Sequence, residues 1–389
     1  MRFLLILLLT LLAGCTSVTD LRDDITESLM GREPANAPTP LKEEFKPSVE
    51  LKVLWQANVG ASPNFDFVPA VYGNAVFTAS ETGDVYKLDS VTGKVIWHVA
   101  AGENISGGVG AGEGLVLVGT SKGMVLAFDE KTGKALWQSR IASEILSPPK
   151  AFKDVVVVRS GDSRIYGLNA ADGKRKWVYE RVTPALSLRS SAGVTVDGEG
   201  AVFAGFSGGK LIALNSADGR VYWETTVTLP KGATEIERIA DITSLPAVEG
   251  RYVYAVAYQG SVVAIERASG KVLWSHDLSS YNGLAVDGAV IFVTQGNDAV
   301  YSLDYASGRS YWRQGDLLYR QLSAPVVVGG APLVGDLEGW VHVLARDDGS
   351  IVGRIKTDGT PIMPQPIELA SGIALVQTRG GGIFAISLK

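Results

Sequence analysis

Beyond residue 50 the chain is built of short runs in which apolar and polar residues alternate, each halted at a glycine and resumed a few residues later. In Val85-Tyr86-Lys87-Leu88 the alternation sets Val85 and Lys87 on one face and Tyr86 and Leu88 on the other, the period of a β-strand. A turn follows, then a second run ending in tryptophan. The unit recurs as GDVYKLDSVTGKVIW (Gly83 to Trp97), GMVLAFDEKTGKALW (Gly123 to Trp137), SRIYGLNAADGKRKW (Ser163 to Trp177) and GKLIALNSADGRVYW (Gly209 to Trp223). GSVVAIERASGKVLW (Gly260 to Trp274), DAVYSLDYASGRSYW (Asp298 to Trp312) and GWVHVLARDDGSIVG (Gly339 to Gly353) follow, the last with glycine in the tryptophan slot. An eighth copy is split between Gly381–Ile386 at one end and Val53-Leu54-Trp55 at the other, so the repeat array closes on itself.

Each slot has a physical reason. Gly93, Gly133, Gly173, Gly219, Gly270, Gly308 and Gly349 share the turn position where φ > 0 is expected. Four residues earlier stand Asp89, Asp129, Asn169, Asn215, Glu266, Asp304 and Ala345, and the short carboxylates and amides among them suit bonds to turn amides. The recurring tryptophan predicts packing between neighbouring units, with on the order of 200 Å² buried per ring. Upstream lie further β-rich runs, such as Asp154–Val158 and Arg251–Ala255, preceded by segments marked by Pro69, Pro148, Pro246 or Pro325. Four strands per unit follow, and about 339 residues over eight units is about 42 each, within the range of propeller blades. The expected fold is all-β: an eight-bladed β-propeller of four-stranded antiparallel blades, closed by an N-terminal strand on the C-terminal blade. A solenoid would not need the split repeat, and no Trp-Asp pair ends a strand as in the WD-dipeptide propellers.

Residues 1–50 have another texture. Phe3–Ala13 is an apolar run too short to cross a bilayer, preceded by Arg2 and followed by Leu12-Ala13-Gly14-Cys15. This resembles the bacterial lipobox, and the resemblance implies a signal peptide at 1–14 and lipidation of Cys15, the only cysteine of the chain. Thr16, where inner-membrane lipoproteins commonly carry Asp, implies sorting to the outer membrane. Residues 15–50, with Pro34, Pro38, Pro40 and Pro47, read as a tether spanning roughly 30 Å as a coil, ahead of a propeller at 51–389.

Composition removes whole classes of function. One cysteine forbids an internal disulfide or a thiolate zinc cluster, and three scattered histidines leave little for a metal site. With 36 basic against 41 acidic residues the net charge is −5, or −6 once Arg2 departs, and no basic run invites nucleic acid. The repeat resembles the tryptophan-docking motif of the quinoprotein dehydrogenases, which raises a pyrroloquinoline quinone-dependent enzyme as the alternative function. The calcium and quinone ligands and the catalytic aspartate of that family are not identifiable here, and the vicinal disulfide of many of its alcohol-oxidising members cannot form. His98, His276 and His342 are expected to be structural, and nothing pairs a nucleophile with a base. No enzymatic activity and no cofactor are therefore expected.

Spacing locates what is unusual. From Trp55 the docking slots follow at intervals of 42, 40, 40, 46, 51, 38 and 41 residues. The two long intervals place extra chain after Trp177 and after Trp223, in blade-to-blade connections expected to be neighbours at the channel mouth, and long loops on a rigid scaffold tend to carry function. Leu186 and Leu188 beside Arg189 have the makings of a binding anchor, although the pattern equally allows both leucines to tuck under the loop.

The segments PALSLR (Pro184 to Arg189), GATEIERIAD (Gly232 to Asp241) and DLLYR (Asp316 to Arg320), with lipobox and repeats, resemble the BamB family of lipoproteins of the outer-membrane β-barrel assembly (BAM) complex. The resemblance covers nearly the whole chain after the signal peptide. It implies a non-enzymatic protein facing the periplasm, bound to the POTRA domains of BamA and through it to the rest of the complex, that supports nascent β-barrels. Leu186, Leu188, Arg189 and Asp241 match the family's BamA-contact positions. Where some relatives carry a second Asp, this chain has Thr243, which puts a paired-carboxylate contact in doubt. Exposed blade edges would receive client strands only as a secondary activity.

Overall fold

The structure, a computed structural model, describes residues 36–42, 45–182, 184, 186–189 and 192–389. Cys15 and the signal peptide expected at 1–14 lie outside the described residues. The chain divides after Pro40, and residues 41–389 form the unit that holds the described strands.

Among the described residues thirty-two strands make eight four-stranded sheets. Blades 1 to 7 are continuous in sequence: 70–100, 105–140, 150–179, 195–226, 247–277, 283–314 and 326–356. In each, four antiparallel strands a to d run from the inside outward. Blade 8 takes its inner three strands from Ile367–Ala370, Ile373–Gln377 and Gly382–Leu388, and its outer strand is Leu51–Asn58 from the other end of the unit. That pairing runs antiparallel from Leu51↔Leu388 to Asn58↔Gly382, the closure the split repeat predicts.

The repeat motif is the c–d hairpin of each blade. Glycine stands at φ of about 70° in all seven intact copies, and its N–H donates to the carbonyl of the residue four positions earlier. Asp89, Asp129, Asn169, Asn215 and Asp304 each accept a turn amide through the side chain, at 2.7–2.8 Å, as expected. A β-bulge in the outer strand, between Trp97 and Val95 in blade 1 and at the same place in every blade, redirects the tryptophan out of the strict alternation.

The ring so aimed lies on the turn glycine of the next blade. A Cβ on Gly219 would come 2.6 Å from Trp177, and Gly93, Gly133, Gly173, Gly270, Gly308 and Gly349 each meet the preceding blade's tryptophan in the same way. Each indole N–H donates to a carbonyl of that same turn at 2.8–3.1 Å, as Trp177 does to Ser216. Glycine is therefore required twice over, for its φ and for the ring above it. Eight apolar clusters, one between each pair of neighbouring blades, complete the core.

His98 stacks on Tyr86 and bonds Asp84 at 2.8 Å, and His342 is buried against Asp336 at 3.0 Å, so both are tied into blade structure.

Candidate functional site

In an antiparallel four-stranded blade the a–b and c–d hairpins share one side, while the b–c hairpins and the blade-to-blade connections share the other. The connections 180–194 and 227–246 therefore lie side by side on the face opposite the tryptophan-docked turns, over blades 3, 4 and 5. Among its described residues the first connection has neither strand nor helix, and its 186–189 stretch is clamped at two points.

The first point is Asp241. Its carboxylate accepts Leu188 N–H at 2.7 Å and Gly208 N–H at 3.0 Å, and its own carbonyl accepts Tyr258 N–H at 2.8 Å. Gly208 and Tyr258 belong to the b–c hairpins of blades 4 and 5, so one residue links two blades and the neighbouring loop. Behind it Arg159, at the end of strand b in blade 3, lies 4.9 Å from the Phe206 ring. Burial pulls the Arg159 pKa down to about 10, against the opposing effect of the Asp241 charge, and its Nη1 finds no hydrogen bond among the described residues.

The second point is Arg189. Its guanidinium forks onto Glu144 of the connection between blades 2 and 3, Nε to Oε1 at 3.1 Å and Nη2 to Oε2 at 2.6 Å. The hydrogen bonds and charge of Glu144 raise the Arg189 pKa further. Just ahead of the clamps Leu186 stands 43% exposed, while Leu188 is half-buried with its amide committed to Asp241. Leu186 thus projects and Leu188 anchors, which divides the two roles that the pattern left open for the pair.

The second connection adds to the apolar surface. The Glu237 carboxylate accepts the amides of Ala233 and Thr234, and the Thr234 hydroxyl accepts Glu237 N–H, a reciprocal cap that fixes a single turn. Ile236 projects from it 67% exposed, and Leu229 equally. Thr243, in place of a second carboxylate, donates to the Tyr281 carbonyl at 3.1 Å.

Asp241 does not flank this surface as expected from sequence. It is 2% exposed and its oxygens point at backbone amides, so it shapes the loop from beneath. The Asp316–Arg320 segment lies on the same face, where buried Arg320 bonds Asp336 at 2.8 Å and also Glu338. Burial opposes the charge on Asp336, yet His342, the Trp340 amide and Arg320 hold its pKa below the usual carboxylate range. Glu144 and Arg159 escaped sequence reasoning: Glu144 lies in a connection of ordinary length, and Arg159 reads as one more strand residue. Among the described residues no group of three His, Cys, Asp or Glu is placed to hold a metal. A cavity of about 260 Å³ among the inner strands, lined by Thr195, Ser244, Asn282 and Gln365 among others, contains no titratable side chain.

Fold and docking turns together define a tryptophan-docked eight-bladed propeller whose distinctive surface is a clamped pair of loops. The profile of the family described as outer membrane protein assembly factor BamB matches residues 52–105 and 81–314. The protein of that name from Nitrosomonas eutropha is 44% identical over all of this chain and 95% of its own length. The crystal structure of BamB from Moraxella catarrhalis superposes with a TM-score of 0.80 at 27% identity, over 87% of this chain and 100% of that one. The chain belongs to the BamB family of outer membrane protein assembly factors. A quinohemoprotein alcohol dehydrogenase from Comamonas testosteroni, at 13% identity and a TM-score of 0.69 over 87% of this chain and 76% of its own, shares the fold alone.

Proposed function

We propose that this protein is a non-enzymatic scaffold of outer-membrane β-barrel assembly, lipid-anchored at Cys15 and docked on the periplasmic POTRA domains of BamA. The loop face of blades 3 to 5 is the docking surface. The observation that carries the reading is the clamped loop: Asp241 and Glu144 hold residues 186–189 so that Leu186 projects beside a guanidinium, with Ile236 and Leu229 on the neighbouring loop. Apolar anchors held rigid beside a charge lose little conformational freedom on binding, as energetic centres of interfaces require. Asp241 and Glu144 act as positioning residues, and Leu186 and Arg189 make the contact.

Co-purification of BamA from solubilised outer membranes tests this. Leu186→Ala combined with Arg189→Glu is expected to abolish recovery of BamA while leaving the unfolding midpoint near that of the parent. Undiminished recovery would refute the site. The exchange Glu144→Arg with Arg189→Glu restores the ion pair with its charges reversed. If Arg189 contacts the partner, binding stays lost, whereas recovery of binding would reduce Arg189 to a loop clamp.

A further inference from the structure

The repeat is broken at two places in blade 7. Gly353 occupies the docking-tryptophan slot, and Trp340 is the one tryptophan outside such a slot. Both breaks bear on the stretch ahead of the first strand, which reads as free tether in the sequence: Gly353 meets it directly and Trp340 through Arg354.

Leu41 packs against the cluster of Trp312, Leu317 and Leu344 between blades 6 and 7. Lys42 Nζ reaches Asp316 at 2.7 Å and its carbonyl accepts Arg354 Nη2 at 2.7 Å. The Arg354 guanidinium lies between two rings, 4.9 Å from Phe45 and 5.4 Å from Trp340, and Lys356 covers Trp340 at 5.4 Å. Farther along, the amides of Ser48 and Val49 both donate to the Val352 carbonyl on the outer edge of blade 7, at 2.9 and 3.0 Å. A Cβ on Gly353 would lie 3.1 Å from the Val49 carbonyl and 3.3 Å from the Leu51 side chain.

The two irregularities now have one cause. A docking tryptophan needs a c–d hairpin on the next blade, and blade 8 has none, because its outer strand is the incoming Leu51–Asn58. The slot is emptied to glycine, and the approaching chain fills it. Trp340 supplies the aromatic face on which Arg354 is held, and Arg354 grips the chain at Lys42 and Phe45.

Direction matters as much as contact. Asp316 lies in the connection between blades 6 and 7, on the face of the long loops, whereas Val352 lies by the start of the outer strand, near the docked turns. The segment therefore descends the edge of blade 7 from the loop face and turns back up as the outer strand of blade 8.

We propose that the segment carrying Leu41, Lys42 and Phe45 to Val49 is a strap, seated on blade 7 by Arg354 and Trp340. It fixes Leu41 and Lys42 at the long-loop face, so that the chain joins the propeller on the side of the docking surface, a point that rests on the function proposed above.

In hydrogen exchange on the full chain, the peptide carrying Ser48 and Val49 is expected to be protected, and Trp340→Ala with Arg354→Ala to speed its exchange by at least about tenfold with blades 1 to 5 unchanged. Exchange in the parent as fast as in the exposed turn at Gly114 overturns the strap, and unchanged exchange of the peptide in the Trp340→Ala/Arg354→Ala protein overturns its seat on those two residues.

Discussion

Replacing Asp241 by alanine removes the acceptor of two backbone N–H groups, Leu188 at 2.7 Å and Gly208 at 3.0 Å, from a site that is 2% exposed. Hydrogen bonds to a buried charged group contribute roughly 1.5–3 kcal/mol each. The Leu188 amide recovers part of its loss, because the released loop can turn it to water. Arg159, however, keeps its buried charge without the carboxylate that faces it, and an uncompensated buried cation is costly. These effects together predict a loss of about 2–4 kcal/mol. Urea unfolding reads it as a lower midpoint at unchanged slope, and hydrogen exchange reads it as faster exchange in 186–189. If residues 186–189 form the proposed docking surface, BamA recovery falls with it. Adding Arg159→Leu removes the stranded cation, so the double variant should lose less than the sum of the two single changes by on the order of 1 kcal/mol. An Asp241→Ala protein within about 0.5 kcal/mol of the parent, with unaltered exchange in 186–189, would show that the clamp does not hold the loop.

The docking turn offers a matched pair of substitutions. Gly219→Ala adds a Cβ at φ +73° and 2.6 Å from Trp177, and is expected to cost about 2–4 kcal/mol in urea unfolding. Gly114→Ala at φ +78° meets nothing within 4 Å and isolates the backbone strain of about 1 kcal/mol, so equal costs would remove the ring from the argument. His342 has its pKa lowered by burial, against the pull of Asp336, so the folded form stays neutral where the unfolded chain, titrating near 6.5, takes up a proton. The unfolded state then binds more protons, and stability falls as pH drops below about 6.5. Unfolding midpoints from pH 7.5 to 5.5 should show this slope, and a His342→Gln protein with the same slope would exclude the histidine as its source.

How much of this is legible in the sequence follows from what repeats. Turn glycine, capping aspartate or asparagine and docking tryptophan each recur in register, so one strand period and one turn identify blades, closure and the face where longer connections must emerge. Contacts made once leave no such trace. Glu144 meets Arg189 across 45 residues and Asp241 meets Leu188 across 53, and neither acid differs locally from a solvated one. Asp241 is the clearest case, because its placement beside the loop was readable and its direction was not: a carboxylate near an exposed leucine and arginine suggests a contact, and only the positions of Leu188 N–H and Gly208 N–H turn it inward.

The strap shows the converse, where a break in the repeat carries the information. Residues 41–50 are aperiodic and predict no element, and Leu41, Lys42, Phe45, Ser48 and Val49 are held against blade 7. Yet Gly353 and Trp340 already departed from the pattern at the blade beside the closure. In a closed array each unit is stabilised by its neighbour, so the unit preceding the chain break loses its docking hairpin and must bury its outer edge in another way. A unit that departs from the repeat therefore marks where a non-repeating segment packs, and in this propeller that segment is the one leading into the outer strand of blade 8.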